Sequence, residues 1–118
     1  MRPTVLMVDD HDGFRARARA MLEDAGFDVI GEAADGAAGI AAADRLHPDL
    51  VLLDIGLPDL DGFAVAARLR DLDAATRIVL ISGRDAADYG GRVERSVADG
   101  FIAKVDLSRE RVLELLGP

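Results

Sequence analysis

Five residues of this 118-residue chain stand just after short apolar runs and carry groups that could do chemistry together. Asp9 and Asp10 follow Val5-Leu6-Met7-Val8, Asp54 follows Leu50-Val51-Leu52-Leu53, Ser82 follows Ile78-Val79-Leu80-Ile81, and Lys104 follows Phe101-Ile102-Ala103. Three carboxylates brought within a few ångströms repel one another, so unless one stays protonated such a site needs a cation. Hard oxygen ligands with room for water suit Mg²⁺. A carboxylate can also be the nucleophile that accepts a phosphoryl group, provided that positive charge neutralises the oxygens in transit; a metal and one lysine would supply it.

Convergence requires the apolar runs to be neighbouring parallel strands, and the rest of the chain fits that demand. The runs alternate with stretches of helical spacing and are mostly bounded by Gly, Pro or Asp, the pattern of a parallel α/β sheet. After the strand at Val5–Val8, a helix carries Phe14, Ala18, Met21, Leu22 and Ala25 on one face and stops at Gly26. Phe27–Ala33 reads as a more polar strand at the sheet edge, and Asp35 can cap a second helix with Ile40, Ala43 and Leu46 that ends before Pro48. Leu50–Leu53 lacks polar alternation, which predicts a central strand buried on both faces. The turn-rich Gly56–Gly62 leads to a helix with Val65, Ala66 and Leu69, and Ile78–Ile81 is a fourth strand. A fourth helix is expected within 85–99 and should be the weakest, because Gly90 and Gly91 cost it about 1 kcal/mol each relative to alanine. A short fifth strand, Phe101–Ala103, precedes a last helix capped by Ser108 and carrying Val112, Leu115 and Leu116. One doubly wound domain over 1–118 follows, with its ligand site beyond the carboxyl ends of the strands.

Composition excludes several function classes. No cysteine is present, so disulfides, thiolate nucleophiles and Cys-based zinc sites are impossible. With 4% aromatic residues against 50% hydrophobic, the core must be mainly Val, Ile, Leu and Ala. A net charge of −8 opposes binding to nucleic acid and to anionic membranes. Arg15, Arg17 and Arg19 alternate along a helix and so face different ways. The first apolar run is too short for a signal peptide or a membrane span, which leads us to expect a cytoplasmic protein.

Val8-Asp9-Asp10, Leu50 to Gly62 with its Leu57-Pro58-Asp59-Leu60-Asp61-Gly62 turn, Val79-Leu80-Ile81-Ser82-Gly83 and Gly100-Phe101-Ile102-Ala103-Lys104 together resemble the receiver domain of two-component response regulators. The turn is similar to that of receivers that precede helix-turn-helix output domains. The resemblance covers residues 1 to about 116. It implies a flavodoxin-like α/β fold with strand order 2-1-3-4-5 and five helices. It implies that Asp54 accepts a phosphoryl group from a sensor histidine kinase or phosphotransfer protein, and that Asp9, Asp10, Asp54 and the Gly56 carbonyl hold Mg²⁺. Ser82 and Lys104 would contact the phosphoryl oxygens, and Ser82 and Phe101 would form the switch read by a downstream protein on the face from the fourth strand to the fifth helix. Such a domain acts as a signalling switch, with phosphorylation-dependent dimerisation open to it, and is an enzyme only toward its own phosphorylation and dephosphorylation.

Taken singly these residues have plainer readings: aspartates at loop starts are commonly helix caps or turn formers, as Asp12, Asp59 and Asp61 are read here. Tyr89 reads as filler, and His11 and His47 as residues without a partner cluster. Lys104 stands apart because the other 13 of the 14 bases are arginines, and it falls where a compact point charge is wanted. Three features depart from the common receiver pattern. Val105 follows the lysine where proline is frequent, and a cis bond before a non-proline residue costs about 2.5–4 kcal/mol, so a trans peptide is expected. Phe101 lacks a hydroxyl, and Gly90-Gly91 interrupts the fourth helix. Two other functions remain: a receiver-like interaction module that works without phosphorylation, and a small Mg²⁺-dependent phosphatase. The phosphatase family usually carries a second acid two residues after its nucleophile, where this chain has Gly56.

Overall fold

The computed structural model describes residues 2–116, so the expected domain limits at 1 and 118 lie outside the described residues. The chain runs β1 (Thr4–Val8), α1 (Asp12–Asp24), β2 (Asp28–Ala33), α2 (Gly36–Leu46), β3 (Leu50–Asp54), α3 (Gly62–Leu72), β4 (Arg77–Ser82), a 3₁₀ turn (Ala86–Tyr89), β5 (Gly100–Ala103), a second 3₁₀ turn (Lys104–Asp106) and α4 (Arg109–Leu116). All strand pairs are parallel and the sheet order is β2-β1-β3-β4-β5, as the receiver resemblance implies.

Alternate residues of each central strand go to opposite sides. Val5, Met7, Leu50, Leu52, Val79 and Ile81 pack toward α1 and α4 with Leu22 and Val112, while Leu6, Val8, Val51, Leu53, Ile78 and Leu80 pack toward α2 and α3 with Val65 and Leu69. All twelve of these strand residues are buried. Burying each such side chain contributes roughly 1.5–3 kcal/mol, so the three central strands are the most strongly fixed part of the molecule and their ends the most sharply placed. The expected caps are present: Asp35 accepts from the Ala38 N–H at 2.8 Å and Ser108 from the Arg111 N–H at 3.2 Å. Gly26 closes α1 at φ 100°, a left-handed conformation that suits glycine.

The expectation of five helices is wrong at one place. Between β4 and β5 the described residues form no α-helix, only the turn Ala86–Tyr89 followed by further turns, which leaves four α-helices. Gly90 and Gly91 both adopt positive φ, 57° and 87°. Two successive left-handed residues reverse the helical hand, so the pair stops the helix instead of merely weakening it. The segment is held at its ends by side chains. Arg70 of α3 donates to the Thr76 carbonyl at 2.6 Å, to the Val97 carbonyl at 3.2 Å and to Asp99 at 2.8 Å. Arg92 pairs with Asp61 and stacks its guanidinium 4.3 Å from the Phe63 ring centre.

Asp59 is more than a turn residue: its carboxylate accepts from the Gly36 and Ala37 N–H groups at 2.7 and 3.0 Å, capping α2 from 23 and 22 residues away. Those two donors, Gly36 first, hold its carboxyl below the usual range. A depressed folded pKa adds stability above the unfolded value, about 3.9, and the gain is lost as pH falls through the folded value. Asp59→Ala should therefore lower the urea midpoint at pH 7, with the difference narrowing in acid. Equal midpoints at pH 7 would show that the cap contributes nothing.

Candidate functional site

The parallel register brings the strand ends into line. Val8 of β1 is opposite Leu53 of β3, so the next residues, Asp9 and Asp54, are neighbours, and Asp54 is opposite Ile81 of β4. Adjacent strands lie about 4.8 Å apart, which makes contact between these carboxylates unavoidable. Both are buried, Asp9 at 1% and Asp54 at 4% exposure. Behind Asp54 the chain is equally constrained. A Cβ on Gly62, at the start of α3, would lie 2.5 Å from the Ile55 Cα and 2.8 Å from the Asp54 carbonyl oxygen, so only glycine lets α3 begin against the strand end.

Lys104 reaches across the rim. Its Nζ lies 2.7 Å from Asp9 Oδ2 and 3.7 Å from Asp54 Oδ2, and 4.5 Å from the centre of the Phe14 ring. His11, at the N-terminus of α1, joins the cluster: its Nδ1 is 3.1 Å from Asp9 Oδ1, 3.2 Å from Asp10 Oδ1 and 3.4 Å from Lys104 Nζ. The expectation that His11 has no partner cluster is thus corrected, since the turn after β1 folds its ring back over the acids. Asp54 Oδ1 accepts the Gly56 N–H at 3.2 Å. Burial pushes the Asp54 carboxyl up, as does the charge of Asp9 and, less, that of Asp10; Lys104 and the Gly56 N–H oppose them without prevailing.

Candidate ligand atoms of Asp9, Asp10, His11 and Asp54 lie within 4.8 Å of one another. Asp9 Oδ2 is buried and has no hydrogen bond, although the Lys104 ammonium is close: the contact balances charge but leaves a lone pair unused. A buried carboxylate oxygen left in this state beside two more carboxylates is the donor set that a hard divalent cation fits. The cleft over these groups has a volume of about 1070 Å³ and runs from Asp54, Ser82 and Lys104 along α1 past Phe14 and Met21.

Ser82 ends β4 with its side chain buried. Its Oγ accepts the Arg84 N–H at 3.0 Å and shares a hydrogen bond with the Tyr89 hydroxyl. The Tyr89 ring stands edge-on to Phe63 and to Phe101, with centres 5.7 and 6.4 Å away. Phe101 is half-buried on β5. The Lys104–Val105 peptide is trans, since the described residues contain no cis bond, and Val105 is 89% exposed.

Residues 5–116 match the response regulator receiver domain family. The chain belongs to that family. It is 41% identical over 100 residues to the virulence-factor transcription regulator BvgA of Bordetella pertussis, covering 85% of this chain and 48% of BvgA. It is 33% identical over 114 residues to the nitrate/nitrite response regulator NarL of Escherichia coli, covering 96% and 52%. The chain therefore spans about half the length of the curated relatives it matches. The signal receiver domain of the response regulator NarL of Mycobacterium tuberculosis superposes with TM-score 0.82 at 35% identity over 99% of this chain and 98% of that one. A CheY of Borrelia burgdorferi, solved in a CheX-CheY-BeF₃-Mg²⁺ complex, superposes with TM-score 0.84 at 28% identity over 96% and 85%.

In this receiver, Asp9, Asp10, Asp54 and Lys104 meet at one rim, and Gly56 touches it through its N–H. Ser82 lines the same cleft, as do Arg84 and Tyr89, the two residues that engage its hydroxyl. Phe101 stands beside Tyr89, not at Ser82's hydroxyl. Sequence reasoning missed Tyr89 and His11. Tyr89 carries the only phenol of the chain, in a segment whose Gly-Gly pair forbids a long helix, and that conjunction is the available signal. No helix among the described residues is long and apolar enough to cross a membrane.

Proposed function

We propose that the chain is a phosphoacceptor receiver in which Asp54 takes a phosphoryl group from a phosphohistidine of a sensor histidine kinase or phosphotransfer protein, in the cytoplasm. The observation that carries this reading is the pairing of a buried Asp54 carboxylate with Lys104 beside the unsatisfied Asp9 Oδ2. An Asp54 oxygen attacks phosphorus in line as the P–N bond breaks, the electron pair leaves with the imidazole, and an acyl phosphate remains on Asp54. Lys104, whose ammonium lies 2.7 Å from Asp9, would pair with the new phosphoryl oxygens. Asp9, Asp10, Asp54 and the Gly56 carbonyl would hold Mg²⁺, which when bound neutralises charge on the transferred group. Ser82 turns inward to donate its hydroxyl proton to a phosphoryl oxygen, and the β4–β5 face beside Phe101 carries the change to a downstream protein, or to a second copy if phosphorylation dimerises the receiver. Beyond supporting its own phosphorylation and hydrolysis, the domain is a switch and not a metabolic enzyme.

Incubation with Mg²⁺ and acetyl phosphate, read by intact mass, tests the reading. The expected result is a gain of one phosphoryl that hydroxylamine removes, as it does from acyl phosphates. No gain at saturating acetyl phosphate would overturn it in favour of the phosphorylation-independent interaction module, to which the missing helix between β4 and β5 is also suited.

A further inference from the structure

Tyr89 holds the hydroxyl on which the proposed switch depends. A serine hydroxyl has one proton and two lone pairs. In the structure the Arg84 N–H donates to Ser82 Oγ at 3.0 Å, and the Tyr89 hydroxyl is its other partner. Both partners belong to the β4–β5 segment, and the described residues include no hydrogen bond between Ser82 and Asp54. Phosphoryl oxygens only accept, so Ser82 must offer them its one proton, and a proton that the Tyr89 phenol oxygen accepts is not free for them.

We infer that Tyr89 is a positioning residue: its phenol oxygen accepts the Ser82 proton in the unphosphorylated arrangement and so competes with a phosphoryl group on Asp54 for that proton. The inference rests on the phosphoacceptor reading above. Phe101 has no hydroxyl and cannot form this link; it supports the Tyr89 ring edge-on instead, as Phe63 does from the other side. Release of Ser82 frees the phenol of a residue that ends a 3₁₀ turn and is followed by two left-handed glycines, a stretch with few helical hydrogen bonds to resist its movement. Through Phe63, which lies under the Arg92 guanidinium, the same ring touches the residue that Asp61 anchors at the start of α3. The reach of the switch is therefore set by the segment that replaces a helix.

The chain has one tyrosine and no tryptophan, so its emission, excited beyond the absorption band of its four phenylalanines, reports Tyr89 alone. Beryllofluoride with Mg²⁺, the pair found with the Borrelia burgdorferi CheY, serves as the phosphoryl mimic. Adding it to the full chain should change the tyrosine emission, and Ser82→Ala should begin near the changed level and respond little. Tyr89→Phe, which keeps the ring and its packing, should bind beryllofluoride roughly five-fold more tightly by calorimetry, the factor that one net hydrogen bond contributes. In the Ser82→Ala background the same substitution should give no tightening, a non-additivity that packing alone would not produce. Equal or weaker binding by Tyr89→Phe, or the same gain without Ser82, would overturn the inference while leaving the phosphoacceptor reading intact. No binding by the unmodified chain would overturn both.

Discussion

Asp54→Asn is expected to abolish phosphoryl gain from acetyl phosphate and, at the same time, to make the protein more stable at pH 7. The loss follows from chemistry, because a neutral amide has no carboxylate oxygen to attack phosphorus. The gain follows from the surroundings. Burial pushes the Asp54 carboxyl up, Asp9 and Asp10 push it further, and Lys104 with the Gly56 N–H only partly offset them. A carboxyl whose folded pKa is raised binds its proton more tightly in the folded state. Its contribution is then most favourable below the unfolded pKa of about 3.9 and declines as pH rises through the folded value. At pH 7 the ionised side chain costs stability that asparagine, of nearly the same shape, does not. Thermal melts in the presence of a chelator should place Asp54→Asn a few degrees above the unmodified chain at pH 7, with the gap closing toward pH 4. Adding Mg²⁺ should stabilise the unmodified chain more than the variant, since ligand binding to the folded state raises its stability. A variant that melts lower at pH 7 would mean that the carboxylate stabilises the rim, contrary to its environment.

Apolar burial decides which parts of the molecule are legible in the sequence. The sheet was readable because runs such as Leu50–Leu53 carry no polar residue, so burial on both faces was the only arrangement available to them. Parallel strands then carry the residues just after them to one rim, and this makes Asp9, Asp54 and Ser82 neighbours without any knowledge of side-chain conformation. Lys104 was legible through composition, as the lone departure from arginine.

What escaped depends on irregular backbone. Helix propensity treats each glycine of Gly90-Gly91 as a cost spread over a helix, but two successive residues in the left-handed region end the helix outright. Once the helix is gone, Tyr89 falls at the end of a tight turn, seven residues from Ser82, where no periodicity predicts contact. Asp59 likewise looks like any turn aspartate until the fold brings α2 to it from 23 residues earlier. His11 is separated from Asp9 by one residue, yet only the turn after β1 decides that its ring folds back over the acids.

Lys104→Met should be the most destabilising substitution at the rim in the absence of metal. It removes the ammonium at 2.7 Å from Asp9 and 3.7 Å from Asp54 and leaves two buried acids facing each other. Removing one partner of a buried ion pair costs about 3–5 kcal/mol. The lower end applies here, because the Lys104 side chain keeps 16% of its exposure and His11 Nδ1 lies near Asp9 as well. About 3 kcal/mol corresponds to a fall of roughly 10 °C in the melting midpoint for a domain of this size. Mg²⁺ should recover much of that loss, since it supplies positive charge to the same oxygens. Lys104→Arg separates charge from shape: the charge remains, so its midpoint should lie well above that of Lys104→Met. Its planar fork is a poor substitute for a point charge between two carboxylates, so beryllofluoride binding should still fall. If Arg binds beryllofluoride as well as Lys does, charge alone suffices and the single lysine has no chemical reason to stand there. If Met melts with the unmodified chain in chelator, the ammonium does not compensate the acids, and the account of the rim fails at its centre.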